Sequence, residues 1–184
     1  MKKGERGLLS LEACISVTIF IFFMLFLYSF FVVFEARNMM AHTVLATTKS
    51  LSLDSYWSSK MRGTGNLTSF AGFLSTLYND PGFTEKKAWD ELGDGETLDT
   101  KIVKERFIAY LSGEEIGSGA TPEADKLLKR YHVVDGVDGL DFSQSTVESG
   151  CVKVVVTYEL EYEFDVFGLD PLKMQQSACS KLWK

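Results

Sequence analysis

From Ala13 to Phe34 the chain runs 22 residues without a charge, and a carboxylate, Glu12, stands at the mouth of that run. As an α-helix the run measures about 33 Å, enough to cross a hydrocarbon core of about 30 Å. Lys2, Lys3 and Arg6 precede it, with Glu5 as the only opposing charge. A carboxylate in lipid is costly, roughly 2.5–3.5 kcal/mol at the bilayer centre and less near the headgroups. A chain that keeps one there usually has a use for it. A cleaved secretory signal fits poorly, because its apolar region would be about 7–15 residues and would end in a small-x-small site. Here the run ends Val33-Phe34-Glu35-Ala36-Arg37, and the first tolerable site, Val44-Leu45-Ala46, lies far downstream. The helix is therefore expected to be retained as a single membrane span.

Charge sets the expected orientation. The basic N-terminal segment stays cytoplasmic by the positive-inside rule, which sends residues 35–184 outside the cytoplasm. The whole chain carries −6, and residues 1–7 contribute +3 − 1 = +2, so the remainder carries −6 − 2 = −8. An exterior part this acidic argues against nucleic acid or anionic lipid surfaces as partners. Cys14 falls within the apolar run as a small filler. Cys151 and Cys179 fall outside it, where a disulfide could form and persist, though two cysteines do not prove a bridge. Their spacing fits no metal motif.

The pattern beyond the membrane predicts an α+β fold. No proline or glycine interrupts Glu35 to Ser59, and Met40, Val44, Thr47 and Leu51 form one helical stripe, so one long helix should leave the membrane and end at Gly63 and Gly65. Phe70, Phe73, Leu74, Leu77 and Tyr78 predict a short amphipathic helix closed by Asn79-Asp80-Pro81-Gly82, followed by a loose acidic stretch from Trp89 to Asp99. Val103, Phe107, Tyr110 and Leu111 share a face of a further helix that stops at Gly113. Thr121-Pro122-Glu123 reads as the cap and first turn of another, carrying Leu127, Leu128 and Tyr131.

After residue 132 the period becomes two. Val152, Val154, Val156, Tyr158, Leu160, Tyr162 and Phe164 face one way, and Lys153, Thr157, Glu159, Glu161 and Glu163 the other, as in a half-buried antiparallel strand. Leu172, Met174, Ala178 and Leu182 repeat that period on a returning strand, and a further strand is expected near Leu140–Val147. The expected organisation is thus a leader at 1–7, a transmembrane helix at 8–34, a membrane-proximal projecting helix at 35–59, a helical and loop region at 60–132 and a small antiparallel sheet at 133–184.

Catalytic chemistry finds no support. Asp90, Asp94 and Gly95 echo a calcium loop, but Leu92 and Lys101 stand where oxygen ligands are required. The Glu159, Glu161 and Glu163 row reads as the wet face of a strand. His42 and His132 have no partner motif, and no nucleophile–base or phosphate-binding pattern appears. No enzyme activity, cofactor or metal is expected.

Peptidase processing after Gly7 would leave an ammonium on Leu8, one helical turn from Glu12. The carboxylate would then lie near that charge and the positive end of the helix dipole, or pair with the ammonium of a neighbouring subunit. Gly7-Leu8-Leu9-Ser10-Leu11-Glu12-Ala13 resembles the start of TadE-like pseudopilins of tight-adherence pilus systems. Met40–Tyr56 resembles their membrane-proximal helix. Tyr158, the Phe164–Leu169 turn and Ser180-Lys181-Leu182-Trp183 resemble their C-terminal hairpin. The resemblance covers both ends of the chain and omits residues 60–132. It departs at Thr18, near which many relatives carry a helix proline, and at Trp183-Lys184, where relatives often have a small residue after Trp. It implies a membrane-anchored pseudopilin or minor pilin, with a prepilin peptidase, other pilin-like subunits, a membrane assembly platform and the lipid bilayer as partners. The alternative is a monomeric signal-anchored sensor or binding domain that enters no filament.

A turn centred near Gly168 would set Cys179 opposite a residue near Thr157, several positions from Cys151. Simple hairpin pairing then leaves the cysteines apart, since a disulfide needs Cα atoms within about 7 Å. A bulge, a shifted turn or an intervening strand would change that, so a bridge between them, separate thiols and disulfides to a partner all stay open.

Overall fold

An apolar run joined to a helical stripe with no breaker gives one continuous helix. In the computed structural model α1 spans Lys3–Arg62. The structure describes residues 3–62, 95–114, 119–162, 168 and 170–182, with the side chains of α1 described from Leu11 to Leu53. The amphipathic helix expected at 70–78, the Asn79–Gly82 turn and most of the acidic stretch lie outside the described residues.

Beyond the apolar run, α1 is the spine of a head domain. Ala36, Met40, Val44 and Leu51 are fully buried, with Thr43, Thr47, Thr48 and Ser52 beside them. That is the stripe expected from the sequence, and it packs on the sheet and on α2 (Thr100–Ser112). Burying Met40, Val44 and Leu51 contributes roughly 1.5–3 kcal/mol each, an upper estimate because the unfolded chain already hides some of that surface. The threonines fit this seam because their hydroxyls are satisfied within the helix. Thr43 donates to Met39 O at 2.9 Å, Thr47 to Thr43 O at 2.9 Å and Thr48 to Val44 O at 2.7 Å. A buried hydroxyl without such a partner would cost about 1–3 kcal/mol.

Helix α2 is capped at both ends. The Asp99 side chain accepts from Lys101 N at 3.0 Å, and Gly113 takes a left-handed φ of 72° with its N–H on Ala109 O. Val103, Phe107 and Leu111 are buried as expected, joined by Arg106 and Ile108. Tyr110 differs: it stands 49% exposed in the last turn, as a tyrosine with a hydroxyl in water readily does. Helix α3 (Ala120–Arg130) packs on α2 and starts one residue before the expected cap. Gly119 is its N-cap, without a side-chain bond, and Pro122 falls inside the first turn, where its missing N–H has no helical partner to lose. Ala120, Ala124 and Leu128 are buried, while Leu127 and Tyr131 are half-buried.

The sheet has the order β1 (Thr146–Glu148), β2 (Cys151–Leu160), β3 (Leu172–Lys181), antiparallel throughout. Val152, Val154, Val156, Tyr158 and Leu160 are buried toward the core, as their alternation requires. Opposite them on β3 stand Ser180, Ala178, Gln176, Met174 and Leu172. Strand β2 ends at Leu160, and Glu163 and Phe164 of the expected alternation lie outside the described residues.

The strand expected near Leu140–Val147 is regular only at Thr146–Glu148, and a bulge explains why. Asp141 pairs with Thr157 and Thr146 with Lys153, so five steps on one side match four on the other. Ser145 fills the gap: its hydroxyl donates to Val155 O at 3.1 Å and accepts from Val155 N at 3.0 Å. Residues 95–98 extend the sheet beyond β1, with Gly95 N on Val147 O at 2.8 Å and Leu98 N on Ser145 O at 2.9 Å. Phe107 meets Phe142 edge-on, with ring centroids 5.2 Å apart, closing the core between α2 and this irregular strand.

The Asp135-Gly136 and Asp138-Gly139 turns lie against α3. Asp125 Oδ1 accepts from Val137 N at 3.2 Å, and its bonds to Lys129 and to that amide hold its carboxyl below the ordinary value. A Cβ at Gly139 would collide with the backbone carbonyl of Val134. Because a carbonyl fixed in a turn cannot swing aside, Gly139→Ala is expected to destabilise the head by about 1–3 kcal/mol. Thermal unfolding of the full chain in detergent micelles measures this, and an unchanged midpoint would mean the turn gives way freely.

Candidate functional site

The residues of α1 from Ala13 to Phe34 carry no charge, are apolar on every side and meet almost nothing else in the chain. Ile19, Phe20, Ile21, Phe22, Phe23 and Met24 are consecutive, and each is 48–64% exposed. A core helix would hide one stripe, whereas an all-round apolar helix without protein cover has lipid as its natural solvent. Among the described residues this is the one helix long and apolar enough to cross a membrane.

Gly7, Leu8 and Glu12 all lie on α1, so the helix is already formed through the Gly7-Leu8 peptide bond. Residues 8 and 12 are one turn apart, about 6 Å along the axis. Glu12 is exposed, and no described residue partners its carboxylate. Thr18 donates to Cys14 O at 2.8 Å, and α1 continues without a break.

The head begins where the uncharged run stops. Tyr131, just past α3, donates its hydroxyl to Glu35 Oε1 at 3.2 Å. Burial, with the Glu35 carboxylate beside it, raises the Tyr131 hydroxyl above its ordinary pKa. Farther along α1, Arg106 donates to Ser50 Oγ at 2.9 Å, and Ser52 donates to Lys181 O at 2.6 Å. These bonds and the apolar stripe make the head and the outer half of α1 one packed unit.

The structure corrects the register expected for the last two strands. Leu160 pairs with Leu172 and Cys151 with Lys181, so the hairpin is centred at residue 166, midway between Leu160 and Leu172, rather than at Gly168. Cys179 then stands opposite Lys153 instead of near Thr157. Cys151 is half-buried, Cys179 is exposed, and neither is bonded in the structure. The physical reason is that a shift of four residues leaves every side chain on the same face, so alternation alone does not distinguish the two registers.

The other candidates are structural. Glu159 faces Lys173 of β3 at 3.0 Å, an ordinary cross-strand ion pair on the wet face. His42 is exposed on α1, and His132 takes a φ of 57° in the turn after α3, its carbonyl accepting from Glu161 N at 2.9 Å. No group of three or more metal-ligating side chains occurs among the described residues. Sequence reasoning missed Arg106, Ser145 and Asp125, which fix the head's joints. Ser145 carried no signal, since a hydroxyl that replaces a ladder bond looks like any loop serine.

No family model matches the chain, and no curated protein or solved structure matches it.

Proposed function

We propose that this chain is a membrane-anchored pseudopilin or minor pilin that takes part in assembly of a tight-adherence-type pilus and has no catalytic activity of its own. The observation that carries the reading is Glu12 at the mouth of a helix that is apolar all round, five residues after Gly7 and preceded by basic residues. A carboxylate kept there calls for a cationic partner in the same layer of the membrane. Processing after Gly7 creates one, the Leu8 ammonium, on every mature subunit. Helices then pack side by side in the bilayer, with Glu12 of one subunit on the ammonium of another setting their offset. The continuous α1, packed into its head from Ala36 to Ser52, supports the reading because such a subunit must transmit force from membrane to exterior. The basic N-terminus stays cytoplasmic and the head lies outside. A prepilin peptidase, other pilin-like subunits and a membrane assembly platform are the partners, and nucleic acid is not.

N-terminal sequencing of the protein from native membranes with an active prepilin peptidase tests this. The mature chain is expected to begin at Leu8, and Gly7→Leu is expected to leave it uncut. An intact Met1 under those conditions would defeat the processing step and favour an unprocessed signal-anchored domain.

A further inference from the structure

Cys151 and Cys179 lie on the face of the β2–β3 hairpin that points away from α1. Their pairing partners, Lys181 and Lys153, make them diagonal neighbours across the two strands, two rungs of the ladder apart on one face. Cα atoms on such a diagonal are about 7–8 Å apart on average, at the edge of what a disulfide spans, and local twist decides individual cases. Burial first, then the neighbouring Cys151 thiol, raises the Cys179 thiol above its ordinary pKa. Cys14, on the membrane-spanning part of α1, is remote from both.

Their position in the hairpin gives a bridge its effect. Cys151 and Lys181 form the last rung of the ladder, at the open end farthest from the turn. Strands fray at that end, and a cross-link there closes the largest loop the hairpin offers. The same end carries the contacts that seat β3 on the rest of the head. Ser52 of α1 donates to Lys181 O at 2.6 Å, Leu182 N reaches Gly150 O at 2.9 Å, and the Leu182 side chain is buried in the core.

We propose that Cys151 and Cys179 are a disulfide-forming pair that staples the open end of the β2–β3 hairpin and so holds the last strand on α1. The oxidant is a disulfide, from a small molecule or a thiol oxidoreductase. The exposed Cys179, as thiolate, attacks one sulfur of that disulfide and expels a thiolate, giving a mixed disulfide. The Cys151 thiolate then displaces the second thiolate. One S–S bond forms and one breaks, the two cysteines lose two electrons and two protons, and the oxidant leaves as two thiols. Lys153, directly across from Cys179 and 3.1 Å from Glu148, is the cation beside the reacting sulfur. The pairing follows from strand register and does not depend on the pilus reading; in an exterior compartment the bond would persist.

The test uses the full chain in detergent micelles, treated with oxidised glutathione, capped with iodoacetamide and digested with trypsin without reduction. The cysteines fall on separate peptides, Tyr131–Lys153 and Met174–Lys181, with Cys14 on Gly7–Arg37. The expected product is the first two peptides linked, lost on treatment with dithiothreitol. Cys151→Ser should instead leave a glutathione adduct on Cys179. Reduction should lower the unfolding midpoint of the wild type by about 5 °C and leave that of Cys151→Ser unchanged. Glutathione or alkyl adducts on both cysteines of the wild type, or a link between two chains, would overturn the proposal and leave the test at Leu8 untouched.

Discussion

Val44→Asp is expected to unfold the head, and Leu45→Asp, one residue on, is expected to leave the head folded. Val44 has no exposed surface and sits in the stripe between Met40 and Leu51 that faces the sheet, whereas Leu45 is 41% exposed. The aspartate at 44 forfeits about 1.5–3 kcal/mol of valine burial. It also leaves a carboxyl, neutral or charged, without a partner in an apolar seam, at a further cost of about 1–3 kcal/mol or more. A loss of about 4–5 kcal/mol approaches the whole stability of an ordinary domain, whereas an exposed substitution shifts it by about 0.5 kcal/mol. Thermal unfolding in micelles, with protease sensitivity of the head as a second readout, separates the two variants. A wild-type midpoint for Val44→Asp would mean that α1 is not the head's spine.

Where the sequence was informative, a single periodicity answered a single question. The step from 3.6 to 2 after residue 132 located the sheet, and the Met40 to Leu51 stripe located the face of α1 that covers it. Gly113 marked a helix end because only a left-handed residue closes that turn cheaply. The failures have a common cause: pairwise facts are not written in one strand. A register of 151 with 181 and one shifted by four present the same faces, so alternation was blind to the diagonal placement of the two cysteines. The bulge between Asp141 and Thr146 likewise depends on how many residues lie opposite, and on Ser145 completing the ladder with its hydroxyl. Thr121 looked like the cap, but Ala120 is buried, and packing it draws the cap and the helix start two residues earlier. Of the candidate site, Glu12 was legible because a charge stands out against an apolar run. Its counterpart was not, because on the pilin reading that group belongs to a processed end or to another molecule.

That reading makes its sharpest demand on Glu12→Gln. Removing the charge makes the helix easier to insert, so membrane levels should match or exceed those of wild type. Association should fall nonetheless, because the Leu8 ammonium of the neighbouring subunit would lose its counter-ion in a layer where water is scarce. Breaking one side of a desolvated ion pair costs about 3–5 kcal/mol, and even a third of that cost is roughly tenfold in association. Site-specific crosslinking to partner pilins in native membranes reads this directly. The fold is not at risk, since Glu12 is exposed and far along α1 from the head. A second substitution isolates the pair. In an uncut Gly7→Leu background no ammonium exists at Leu8, so Glu12→Gln should there make no further difference, the non-additivity expected of two groups that act through one contact. Equal crosslinking of Glu12→Gln and wild type in the processed background would count against a pairing role and leave α1 as an anchor alone.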